Sequence, residues 1–130
     1  MKNFELKITL FLCLSVIVLL AACQQKTPVN LQGTYERMQQ LDDSTYVVQL
    51  QLTEDSRLLW TPVDSTLIGY ASAVQYEMLP DNQLRIFGDE KCGSDAVYSF
   101  TLTDSLLTLT TLEDNCEPRA RNLIGDWIIK

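Results

Sequence analysis

Eight carboxylates stand as four adjacent pairs, Asp42-Asp43, Glu54-Asp55, Asp89-Glu90 and Glu113-Asp114, and these are the side chains whose spacing first suggests chemistry. Two neighbouring carboxylates can hold a hard cation such as calcium, or divide the roles of acid and base. All four pairs fall in segments that read as turns, where acidic side chains are normally solvated, and no Asp-x-Asp-x-Asp-Gly run is present to favour a metal. The chain contains no histidine, which excludes a Ser-His-Asp triad, a zinc-protease helix and a Cys-His pair. Its five glycines are isolated and form neither a phosphate loop nor a dinucleotide fingerprint. With no poised nucleophile or base in view, the expectation is a non-enzymatic protein that uses no metal and no cofactor.

Chemistry of a different kind attaches to Cys23. Lys2 and Lys7 precede or open an almost wholly apolar run over residues 8–20, a positive n-region followed by an h-region. A helix that crosses hydrocarbon needs about 20 residues, so the run is too short to span and reads as a cleaved signal helix. Leu20-Ala21-Ala22-Cys23 resembles the lipobox of bacterial lipoproteins, in which cleavage before the cysteine leaves it lipidated as the first residue of the mature chain. An ordinary signal peptide with an incidental cysteine is the alternative. The resemblance implies a palmitate-type lipid anchor on Cys23 and a place in the cell envelope. Gln24, where inner-membrane lipoproteins carry Asp, implies the outer membrane. Residues 24–30 are polar, include Pro28 and show no periodicity, as suits a short tether. The organisation expected is a signal peptide over 1–22, the lipidated cysteine and tether over 23–30, and one folded domain over 31–130.

Loss of the signal segment removes Lys2, Lys7 and Glu5, leaving eight basic against sixteen acidic residues. A net charge of about −8 keeps such a domain soluble and repels nucleic acid and anionic headgroups. Cys13 departs with the signal peptide and Cys23 is taken by lipid, so Cys92 and Cys116 remain as a pair in an oxidising compartment, where a disulfide is the simplest outcome. A redox or metal pair is the alternative, disfavoured by the lack of any CxxC or histidine.

The elements that position these residues read as strands. Tyr46, Val48, Leu50 and Leu52 alternate with polar Gln49, Gln51 and Thr53, a period of two that buries one face of a strand. The same alternation recurs at Tyr98, Phe100 and Leu102, and at Leu107 and Leu109. Turn clusters such as Asp42-Asp43-Ser44, Pro80-Asp81-Asn82 and Gly93-Ser94-Asp95 separate the runs. Strands are expected over 33–40, 45–53, 57–63, 66–79 (broken near 71–73), 83–88, 96–103, 106–112 and 123–129, with a turn or so of helix over 118–123. About eight short strands argue for an all-β antiparallel sandwich or barrel.

Gly33-Thr34-Tyr35 at the start, and Tyr98, Leu106-Leu107-Thr108-Leu109, Asp114, Cys116-Glu117-Pro118-Arg119, Leu123, Gly125 and Trp127 near the end, resemble the lipocalin-like domains of secreted and lipid-anchored bacterial proteins. The chain departs from true lipocalins in having Tyr35 where they carry Trp on the first strand, in being shorter, and in lacking a recognisable C-terminal helix. The resemblance implies a calycin-type meander barrel and a habit of binding small apolar ligands. Tyr35, Arg119, Gly125 and Trp127 are expected to close the barrel, with Arg119 or Arg121 over the Trp127 ring and Gly125 admitting another backbone. Trp60, Tyr70, Tyr76, Phe87 and Phe100 can line a pocket or simply fill the core. Two functions follow as expectations: a membrane-anchored carrier of a small apolar or amphipathic ligand or lipid, or a module that binds another envelope protein.

Overall fold

A strand with one apolar face must turn that face toward others like it, and when first and last strands pair, no ladder edge is left open. The computed structural model describes residues 28–130, and it takes this solution. The expected signal peptide, Cys23 and the first part of the expected tether lie outside the described residues. Eight strands form a closed antiparallel barrel in simple chain order: β1 (Gly33–Leu41), β2 (Ser44–Leu52), β3 (Arg57–Pro62), β4 (Ser72–Leu79), β5 (Gln83–Phe87), β6 (Ala96–Leu102), β7 (Leu106–Glu113) and β8 (Gly125–Ile129). β8 pairs with both β7 and β1, so the barrel expected from the sequence is present and shut.

Alternation along each strand decides what is inside. Val48, Leu50 and Leu52 face Leu58 and Trp60 on β3, and the interior is completed by Val74 and Tyr76, Leu84 and Ile86, Tyr98 and Phe100, Leu107 and Leu109, and Trp127. Tight turns bring the strands back. Asp81 and Asn82 both adopt positive φ (61° and 53°) between β4 and β5, a conformation that Asn and Asp tolerate better than most residues.

Two segments differ from the expected strands. Residues 65–70 do not extend β4 backward but form a 3₁₀ turn, Ser65–Tyr70, because the Asp64 carboxylate accepts both the Thr66 N–H (2.9 Å) and the Thr66 hydroxyl (2.7 Å). Leu123 belongs to a helix rather than to the last strand: α1 (Glu117–Leu123) begins with Pro in its first turn, and β8 starts only at Gly125.

The two ends of the barrel are closed differently. Strands β1, β3, β5 and β7 run from the end where the N-terminal segment lies to the end that carries the 3₁₀ turn, the loop over 88–95 and α1. At the first end Leu31 is buried, Val29 packs beside it, and the Tyr35 hydroxyl, on β1, donates to the Leu31 carbonyl (2.8 Å). At the second end Cys92, in the 88–95 loop, is bonded to Cys116 at the start of α1. That disulfide closes a 24-residue separation, which by loop entropy contributes about 3 kcal/mol. A Cys92→Ser/Cys116→Ser double variant is therefore expected to lose about that much in equilibrium urea unfolding. An unchanged midpoint would show that the loop and α1 are held wholly by their polar contacts.

Candidate functional site: the barrel mouth

The end capped by α1 is where the interior meets solvent. β3 points Leu58 and Trp60 inward, β4 adds Val74, and α1 lays Leu123 across the top, so the floor of this mouth is apolar. Above it a cavity of about 300 Å³ is lined by those four residues with Tyr70, Asp89, Lys91, Asn122 and the Cys92–Cys116 bridge. A neighbouring hollow of about 730 Å³ continues past Trp60 and Tyr70 to Gln39, Arg121 and Asn122. Both volumes lie in the range, roughly 300–1,000 Å³, that small-molecule sites occupy. A further hollow of about 380 Å³ lies at the opposite end of the barrel, between the N-terminal segment, the β4–β5 turn and Phe100.

Two polar clamps hold α1 over the mouth. At the start of the helix, Arg119 is only 6 % exposed and makes a bidentate pair with the covered carboxylate of Asp114: Nε to Oδ2 at 2.9 Å and Nη2 to Oδ1 at 2.7 Å. Its Nη1 donates to the Ser94 carbonyl (2.8 Å) and reaches Asp89 (3.4 Å), so the guanidinium ties α1 to the 88–95 loop. Asp114 also accepts the Tyr98 hydroxyl and the Cys116 N–H (2.8 Å). Burial alone would raise the Asp114 carboxyl, but the hydrogen bonds from Arg119, Tyr98 and Cys116 outweigh it and hold the group below its ordinary value. Burial, and after it the hydrogen bond to Asp114, pushes the Tyr98 hydroxyl far up.

At the far end of α1 the clamp is Arg37. An α-helix leaves its last carbonyls without donors, and Arg37, an inward-facing residue of β1, supplies them: it donates to the carbonyls of Asn122 (2.7 Å), Ile124 (2.5 Å) and Arg121 (3.3 Å). The same guanidinium lies 4.0 Å from the centroid of Trp127, whose own N–H donates to Leu123 O (2.9 Å). Arg37 therefore occupies the place over Trp127 that the sequence suggested for Arg119 or Arg121. Gly125 makes room for this same side chain rather than for another backbone: a Cβ there, at φ 110°, would lie 3.2 Å from Arg37 Nη1. Burial pushes Arg37 down to about 10, and among the described residues no carboxylate forms an ion pair with it.

Trp60 is the exception in this arrangement. It is 1 % exposed, yet its Nε1 has no hydrogen-bond partner. The amides nearby are committed elsewhere: Gln39 donates to Asn122 (2.8 Å) and accepts from Arg37 (2.9 Å).

No family model, curated protein or solved structure matches this chain. The site must therefore be judged on its own geometry. Of the aromatics singled out in the sequence, Trp60 and Tyr70 line the mouth, Tyr76 and Phe100 are core, and Phe87 lies under Arg85 (5.1 Å). Of the four acidic pairs, Asp42-Asp43 and Glu54-Asp55 are exposed turn residues, whereas Asp89 and Asp114 meet at Arg119. Sequence reasoning missed Arg37 altogether, because β1 offers no apolar alternation past Tyr35 to mark residue 37 as inward.

Proposed function

We propose that this chain is a lipid-anchored envelope protein whose lipocalin-like barrel takes up a compact amphipathic molecule at the mouth. The observation that carries this reading is the roughly 300 Å³ cavity, apolar at its floor and lined by Trp60, whose buried indole N–H has no acceptor. An apolar hollow with a few converging polar groups is the usual form of a small-molecule site. The anchor rests on the likeness of Leu20-Ala21-Ala22-Cys23 to a lipobox. Seven tether residues reach at most about 25 Å, and the chain joins the barrel at the end opposite the mouth. The mouth would then face away from the bilayer and draw its ligand from the aqueous side.

The test is mass spectrometry on protein recovered from its own host's envelope. The mature chain is expected to begin at Cys23 with covalent lipid, and a Cys23→Ser variant to leave the membrane fraction. Native spectra of that soluble variant are expected to carry a discrete extra mass that organic extraction removes. A bare barrel that instead co-purifies with another envelope protein would overturn the carrier reading in favour of an interaction module, for which the exposed cross-strand pair Met38 and Val47 is a starting point.

A further inference from the structure

We propose that Trp60 makes the mouth selective for ligands that bring a hydrogen-bond acceptor oxygen, with the indole N–H as the group that reads it. This inference deepens the ligand-binding reading and rests on it. An indole nitrogen can only donate, and a buried donor left unpaired is a standing cost that an incoming acceptor removes. The other buried aromatic polar groups are all satisfied within the protein. Trp127 Nε1 donates to Leu123 O, and the hydroxyls of Tyr35, Tyr76 and Tyr98 donate to Leu31 O, Thr53 O and Asp114. The remaining unpartnered buried side-chain atom among the described residues, Thr111 Oγ1, does not line the mouth.

The surroundings sharpen the preference. Leu58, Val74 and Leu123 offer the ligand no competing polar partner, and the Gln39 amide is already committed, its N–H to Asn122 Oδ1 and its oxygen to Arg37. Lys91 and Arg119 line the same cavity beside Asp89, so an ammonium group entering it meets two cations against one carboxylate. The ligand class is thus a compact apolar body carrying a carbonyl, ether or carboxylate oxygen. An ammonium group or a pure hydrocarbon would leave the Trp60 donor unpaired.

Three near-isosteric probes separate these cases: acetophenone, ethylbenzene and 1-phenylethylammonium. Each is titrated into the Cys23→Ser chain, exported and processed, with the two tryptophan indole N–H signals followed by ¹⁵N NMR. Acetophenone is expected to move the Trp60 N–H signal downfield while the Trp127 signal, already bonded to Leu123 O, stays in place. Trp60→Phe keeps an aromatic wall without the donor, and is expected to weaken acetophenone binding about tenfold while changing ethylbenzene binding less than twofold. The ammonium probe is expected not to bind. If acetophenone and ethylbenzene both bind and Trp60→Phe affects them equally, the mouth binds ligands without reading an acceptor, and this inference falls while the carrier reading stands. If no probe perturbs Trp60, both fall together.

Discussion

Replacing Asp114 with alanine is expected to cost about 3–5 kcal/mol of folding stability, because it leaves Arg119 buried and charged with its bidentate partner gone. Arg119 has no good alternative: Asp89 stands 3.4 Å from Nη1, and Ser94 offers only a carbonyl. The Tyr98 hydroxyl and the Cys116 N–H lose their acceptor in the same step. Urea unfolding measures the loss directly. A Tyr98→Phe variant gives the comparison, since it removes one neutral-to-charged hydrogen bond while sparing the ion pair, and is expected to lose only about 1.5–3 kcal/mol. An Asp114→Ala protein within 1 kcal/mol of wild type would mean that the mouth does not depend on this clamp.

The same pair sets a pH dependence whose sign follows from the depressed carboxyl of Asp114. A group held lower in the folded state than in the unfolded chain adds stability that is fully present above its unfolded value, near 4, and is lost as pH falls through the folded value. The melting temperature is therefore expected to hold between pH 7 and 5 and to drop below about pH 4, with a shallower drop in Asp114→Asn. Glu36 and Asp64 are held low by hydrogen bonds from Gln49 and Thr66 and add to the slope in the same direction, but Asp64 is exposed and Glu36 only half-buried.

What the sequence made legible, and what it hid, divides along physical lines. β2, β6 and β7 bury residues alternately, and their apolar periodicity is enough to call for strands and a barrel. β1 does not advertise its inward face, because after Tyr35 the inward positions are Arg37 and Gln39, polar residues that serve α1 across the barrel. Sequence patterning cannot reveal such a position, since the carbonyls that justify it come from residues more than eighty positions away. The acidic pairs are misleading for a similar reason. Glu54-Asp55 and Glu113-Asp114 look alike as dipeptides, and only the burial of Arg119 makes Asp114 a structural partner rather than a solvated turn residue. The unpaired state of the Trp60 nitrogen is likewise a property of the packed mouth and has no counterpart in composition.

Trp127→Ala is expected to destabilise the barrel by about 3–5 kcal/mol, the usual cost of truncating a fully buried tryptophan. Trp127 is 0 % exposed, and its loss would open a cavity beneath α1, leave Leu123 O without its donor and strip Arg37 of the ring it covers. Trp127→Phe keeps much of the ring and loses the indole N–H, so it is expected to cost less than half as much. The interesting comparison is with Asp114→Ala. Asp114 grips α1 through Arg119 near its start, while Arg37 and Trp127 grip it at its end. Once either grip is lost the helix can lift, and the other has less left to hold. The double variant is therefore expected to fall short of the sum of the two single losses, by more than the ~0.5 kcal/mol scatter seen for independent sites. Strict additivity would instead mean that α1 is fixed by the barrel wall and the disulfide, and that the two clamps act on separate parts of the fold. The same measurement bears on binding, because α1 carries Asn122 and Leu123 into the lining of the mouth. If the losses couple through the helix, either single variant should also weaken acetophenone binding even though neither removes Trp60.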